Sequence, residues 1–143
     1  MGSGIVDDKI KREIILDNYE SPFHKGLVDD NGYKRVSYKS QTCIDNLDYQ
    51  IKIEDNIVKD IRFDGDACAI ATSSSSIMIN NLIGKSVDDV RRILYNYKNM
   101  IEEKDYDNKI IGELEVYSNI SKQPNRINCA LICCNAIEDV IKN

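Results

Sequence analysis

The strongest constraint on this chain is a change of hydrophobic period partway along it. From Tyr33 to Phe63 the period is two: Leu47, Tyr49, Ile51 and Ile53 alternate with Asp48, Gln50, Lys52 and Glu54. Ile57, Ile61 and Phe63 share the following face, with Lys59 the exception and Val58, Asp60, Arg62 and Asp64 opposite. Successive side chains on a strand point to opposite faces, so two such runs around Asp55-Asn56 predict an antiparallel hairpin with one solvated face. Lys34 to Lys39 adds a third strand.

Either side of this region the period is helical. Ile10, Ile14, Ile15 and Tyr19 predict an amphipathic N-terminal helix, followed by a turn-rich stretch through Ser21, Pro22, Gly26 and Gly32. Ala67 to Leu82 is rich in small residues and ends before Gly84, a C-cap signal. Ser86, with Asp89 three residues later, opens the next helix, whose stripe is Val90, Ile93, Leu94, Tyr97 and Ile101. A polar segment around Asp105 to Lys109 and a short helix from Gly112 to Ile120 follow. After Pro124, the residues Ile127, Ala130, Leu131, Cys134, Ile137 and Ile141 mark one side of a terminal helix, with Glu138 at its edge. The expected class is α+β: a small antiparallel three-stranded sheet with helices packed on one face.

At 143 residues and 42% hydrophobic, the chain suits a single domain over 1–143, with Met1 to Gly4 reading as a cloning remnant. The net charge of −5, from interspersed residues, gives no electrostatic footprint for nucleic acid or an anionic membrane. No apolar run approaches the roughly 20 residues that span a bilayer. The N-terminus has no signal-peptide core, so a cytoplasmic location is expected.

Chemistry then rests on the cysteines. Five is an odd number, which suits a disulfide framework poorly and suits working thiolates or core fillers better. Cys43 and Asp45 fall in the loop before the hairpin, Cys68 at the start of a helix, and Cys129 in the first turn or two of the last helix. Element ends are where a rigid scaffold presents function, and the positive end of a helix favours a thiolate. Cys133 and Cys134 sit deeper and read as core residues. Spacing alone decides little, because C-x-D is short and 61 residues separate Cys68 from Cys129.

Three segments are more specific: Gln41-Thr42-Cys43-Ile44-Asp45, Asp64-Gly65-Asp66-Ala67-Cys68-Ala69-Ile70 with a serine-rich helix after it, and Lys122-Gln123-Pro124-Asn125-Arg126-Ile127-Asn128-Cys129. In this order they resemble the SufU/IscU/NifU-N family of iron–sulfur cluster assembly, as does Asn18-Tyr19-Glu20-Ser21-Pro22 with Lys25-Gly26. The long interval between Cys68 and Cys129, with its acidic stretch Asp105 to Tyr117, resembles the SufU branch. So does Asn128, where IscU-type scaffolds carry histidine, and Arg126, where SufU proteins place arginine. One residue departs from the pattern: Ile44 replaces the glycine of C-G-D, and would be strained if that position needs positive φ.

The resemblance implies one tetrahedral metal, zinc, held by Cys43, Asp45, Cys68 and Cys129. It further implies a zinc-dependent sulfurtransferase that accepts persulfide sulfur from a SufS-type cysteine desulfurase and delivers it to a downstream iron–sulfur scaffold. Cys43 is the expected acceptor. Two alternatives stay open: a scaffold holding a [2Fe–2S] cluster on the same residues, and a structural zinc module for protein interaction. Arg126 reads equally as a stabiliser of the thiolate or as a solvent-facing cation. His24 reads as a surface residue, Ser73 to Ser76 as a small-residue packing face, and Tyr95 and Tyr97 as rim and core.

Overall fold

The computed structural model describes residues 8–39 and 44–142. Met1 to Gly4 and Cys43 lie outside these described residues. The order is α1 (Asp8–Glu20), β1 (Lys34–Lys39), β2 (Asn46–Glu54), β3 (Ile57–Asp66), α2 (Ala69–Leu82), α3 (Val87–Ile101), α4 (Asn108–Ile111) and α5 (Pro124–Ile141), with 3₁₀ turns at Gly112–Tyr117 and Ile120–Lys122. The strands form one antiparallel sheet in the order β1-β2-β3, as the alternation predicted.

The hairpin turn explains the pairing. Asp55 and Asn56 both take positive φ, 53° and 63°, the geometry of a two-residue turn whose twist matches its strands. One expectation fails here. Lys52 pairs with Asp60 and Ile53 with Val58, so Lys59 is an extra residue on β3. A bulge of this kind shifts the alternation by one, and it turns Val58 inward (0% exposed) while Ile57 is only half-buried. The opposite face is also less solvated than the pattern implied. Gln50 is buried there, its amide donating to Val28 O (2.7 Å) and accepting from Val28 N (2.8 Å).

Leu47, Tyr49, Ile51, Val58, Ile61 and Phe63 form the inner face of the sheet, all fully buried. Helices α2 and α5 lie across it, α3 packs on α5, and α1 packs on α2. This central position corrects the one-sided reading of α5. Cys129, Ala130, Leu131, Ile132, Cys133 and Cys134 are consecutive and all buried, because the helix has neighbours on most sides. Glu138 at its edge is paired with Lys98 at 2.9 Å. Helix α1 is the reverse case. Ile14 and Ile15 pack against the core, but Ile10 and Tyr19 remain exposed and none of its residues is fully buried.

Three boundaries reflect their caps. Cys68 caps α2, Ser86 caps α3 by accepting from Asp89 N (3.1 Å), and Pro124 opens α5 at a position where its missing N–H costs nothing. The helix expected from Gly112 instead begins at Asn108, and Gly112, at φ 54°, tightens it into a 3₁₀ run. The serines of α2 are wholly buried, in keeping with close packing, and most are bonded beyond their own helix. Ser73 bonds the Tyr117 hydroxyl (2.5 Å) and Ser75 that of Tyr49 (2.7 Å). Ser76 donates to Asn18 Oδ1 and accepts from Phe23 N, both at 2.7 Å. Ser74 donates only to Ala71 O within the helix (3.3 Å), while the other three each join α2 to a different part of the chain.

Gly65 controls how β3 leaves the sheet. Its φ is 133°, and a Cβ there would stand 2.2 Å from Asn46 O. Any other residue meets both backbone strain and a backbone clash. Gly65→Ala should therefore lower stability by about 2 kcal/mol or more, read as a lower urea midpoint with an unchanged m-value. A midpoint equal to wild type would show that the crossing relaxes without cost.

Candidate metal centre

The crossing at Gly65 brings the end of β3 against the start of β2. Asp45 stands just before β2 and is 2% exposed. Its Oδ1 accepts the Cys68 amide N–H at 2.7 Å, which leaves Oδ2 facing Cys68 Sγ at 3.8 Å. Cys68 in turn caps α2, its sulfur accepting from Ala71 N at 3.4 Å.

Cys129 supplies the third group from α5. One ligand atom from each of Asp45, Cys68 and Cys129 lies within 4.8 Å of the other two. In a tetrahedral zinc site with Zn–S near 2.3 Å, neighbouring ligand atoms stand about 3.8 Å apart. The cluster therefore needs only a small contraction to fit. Cys129 is fully buried and is the sixth residue of its helix, beyond the first turn where the dipole acts. Of the two cysteines expected at helix starts, Cys68 stands at one and Cys129 does not. Cys43, two residues before Asp45, is outside the described residues, so its place relative to the other three is an expectation.

The remaining candidates sort clearly. Arg126 is exposed, one turn before Cys129 on the same helix. Ile44, in the place of the glycine of the resembled pattern, is 80% exposed. His24 is the chain's single histidine, and its Nδ1 lies 2.8 Å from Asp60 Oδ1 on the middle of β3. The donor set at the cluster is sulfur and carboxylate, with no imidazole. Tyr95 is exposed and Tyr97 buried, its hydroxyl donating to Ala130 O (2.7 Å).

Cys133 and Cys134 are core residues, 1% and 0% exposed. Burial pushes the Cys133 thiol up to about 12, and Cys134 also well above its ordinary value. Both are neutral and inert at physiological pH. What the sequence did not reveal is the Asp45–Cys68 amide bond, since nothing in the spacing says that a carboxylate 23 residues upstream reaches that amide.

The model of the NifU-like N terminal domain family matches residues 10–143. The chain is 32% identical over 132 residues to the zinc-dependent sulfurtransferase SufU of Bacillus subtilis (strain 168), covering 92% of this chain and 88% of that protein. It is 31% identical over 130 residues to the iron–sulfur cluster assembly scaffold protein IscU of Streptococcus pyogenes serotype M1, covering 90% and 80%. In fold it matches the N-terminal part of a nitrogen-fixing NifU-like protein from Brucella abortus, with a TM-score of 0.83, 22% identity and 94% coverage of both chains. The chain belongs to the NifU-like N-terminal domain family, with SufU and IscU proteins among its relatives. No helix among the described residues is long and apolar enough to cross a membrane.

The buried thiols make a prediction about alkaline pH. In the unfolded chain they ionise near 9.0, whereas in the fold Cys133 stays protonated to about 12. Above the lower value the unfolded state binds fewer protons, so stability is full below it and falls as pH rises toward the upper one. Urea unfolding of EDTA-treated protein should show this decline. It should be shallower in the Cys133→Ala/Cys134→Ala variant, whose remaining slope comes from buried tyrosines such as Tyr49 and Tyr97, also pushed up by burial. An equal slope in the variant would assign the whole effect to the tyrosines.

Proposed function

We propose that this family member is a zinc-dependent sulfurtransferase, accepting sulfur from the persulfide of a SufS-type cysteine desulfurase for iron–sulfur cluster assembly. The observation that carries the reading is the convergence of Asp45, Cys68 and Cys129 from three separate elements within 4.8 Å. With Cys43 they would complete a four-coordinate set of three thiolates and one carboxylate, a donor chemistry that suits zinc. The name of the Bacillus subtilis relative supports the same metal and activity.

Zinc, when bound, stabilises thiolates without redox chemistry of its own. The chain's residues do the rest. Asp45 Oδ1 is held by the Cys68 amide, so its other oxygen has a fixed direction. Ala71 N steadies the Cys68 sulfur, and burial of Cys129 keeps water from its side of the cluster. Cys43 is the acceptor in this reading. Its thiolate attacks the outer sulfur of the desulfurase persulfide and forms a new S–S bond. The partner's S–S bond breaks, and its cysteine leaves as a thiolate. In this reading Arg126, exposed and three residues before Cys129, is the cation that would favour the anionic sulfur. A downstream scaffold then receives the sulfur.

The relation to IscU supports a second reading, a scaffold that holds a [2Fe–2S] cluster on these residues. Cluster ligands are most often cysteine thiolates, so the carboxylate favours zinc. Elemental analysis of aerobically purified protein should find about one zinc per chain, much reduced in Cys43→Ala. The protein should also raise turnover by a SufS-type desulfurase, and Cys43→Ala should not. Zinc without any effect on turnover would leave a structural zinc module. Iron and sulfide reconstituting on a zinc-free protein would replace this reading with the scaffold.

A further inference from the structure

We infer that Tyr49, Ser75 and Cys133 are positioning residues that set the spacing of Asp45, Cys68 and Cys129. The three outer groups come from the start of β2, the start of α2 and α5. One layer deeper, the same three elements meet again: Tyr49 of β2 is bonded to Ser75 of α2, and the buried Cys133 of α5 packs beside them. Tyr49 lies four residues after Asp45 and Cys133 four after Cys129. Ser75 lies seven after Cys68, two helical turns further in on the same side of α2. Each inner residue is thus the inward neighbour of one outer group on its own element.

The protons of this inner layer can be accounted for. Ser75 Oγ donates to Ala71 O at 2.8 Å. Its proton is then spent, so in the Tyr49–Ser75 contact at 2.7 Å the tyrosyl hydroxyl donates. Cys133 of α5 stands against both hydroxyls, close enough for each of the three groups to bear on the others. All three residues are at most 1% exposed. Buried polar groups with satisfied partners allow few alternative arrangements, because any slip leaves one of them unpaired. A shift of α5 or α2 along its axis would break this set and change the outer spacing together.

A comparison inside the same protein separates positioning from general stability. Tyr117 and Ser73 make an equally buried tyrosine–serine bond at 2.5 Å, but it joins α2 only to the 3₁₀ run Gly112–Tyr117. Its loss should loosen the fold without altering the relation of α5 to α2 and β2.

The test reads the spacing without any metal. In a Cys43→Ser background and with metal removed, Cys68 and Cys129 form a disulfide by exchange with oxidised glutathione, each turn of exchange releasing two reduced glutathiones. The equilibrium constant measures the effective concentration of one thiol at the other. Tyr49→Phe and Cys133→Ala should lower it about tenfold, the lower end of what supporting residues contribute at metal sites. Cys133→Ser should restore much of it, and Tyr117→Phe should leave it within about twofold. Thermal melts establish that each variant is folded, and Ser75→Ala replaces Tyr49→Phe if that one is not. Wild-type values in Tyr49→Phe and Cys133→Ala, or an equal fall in Tyr117→Phe, would overturn the inference.

A second arm rests on the zinc reading: zinc affinity by chelator competition should fall in the same order. If the disulfide equilibrium moves as expected and wild-type protein takes up no zinc, positioning stands and the zinc reading falls. If zinc binds but the disulfide equilibrium does not move, the reverse holds.

Discussion

The candidate site depends on one close passage of backbone over backbone. At Gly65 the chain leaves β3 so near Asn46 O that no side chain fits. That closeness lets the buried carboxylate of Asp45 meet the Cys68 amide at 2.7 Å. A carboxylate at 2% exposure is costly unless it is bonded, and here one oxygen is bonded and the other faces a thiol. The same amide bond fixes the direction of the Cys68 cap and so the entry of α2. A strand exit, a helix start and a cluster of donor atoms are thus consequences of one contact.

The helix that follows is unusual in what it buries. From Ala71 to Ile79 every residue of α2 is buried, including Thr72 and four serines. A helix of this kind could pack closely but slide easily, since small side chains interlock weakly. The hydroxyls supply what volume does not. They bond the 3₁₀ segment, the sheet and the N-terminal region, each at a fixed height along the helix. Specific position here comes from directional bonds in a low-dielectric interior, where a misplaced polar group costs about 1–3 kcal/mol.

Much of this was legible in the sequence. The three strands, the long helices and the cap at Ser86 follow from period and capping chemistry that act locally. The misreadings all have non-local causes. Lys59 is displaced by a bulge that depends on pairing with β2. Gln50 is covered by a loop 22 residues away, and α5 is buried all round because of where its neighbours lie. At the site, Asp45, Cys68 and Cys129 could be named from the motifs they resemble. Their mutual distance, the amide bond to Asp45 and the inner layer of Tyr49, Ser75 and Cys133 could not. Ile44, which departs from the resembled pattern, places its side chain in solvent.

The donors of the cluster are far apart along the chain, and α5 contributes its own after every other element. During synthesis the ribosome adds about 5–20 residues per second. Cys129 therefore follows Cys68, 61 residues earlier, by about 3–12 s. In the zinc reading, the donor set is therefore complete only once the last helix has been made, and the site is among the last features of the chain to come into being.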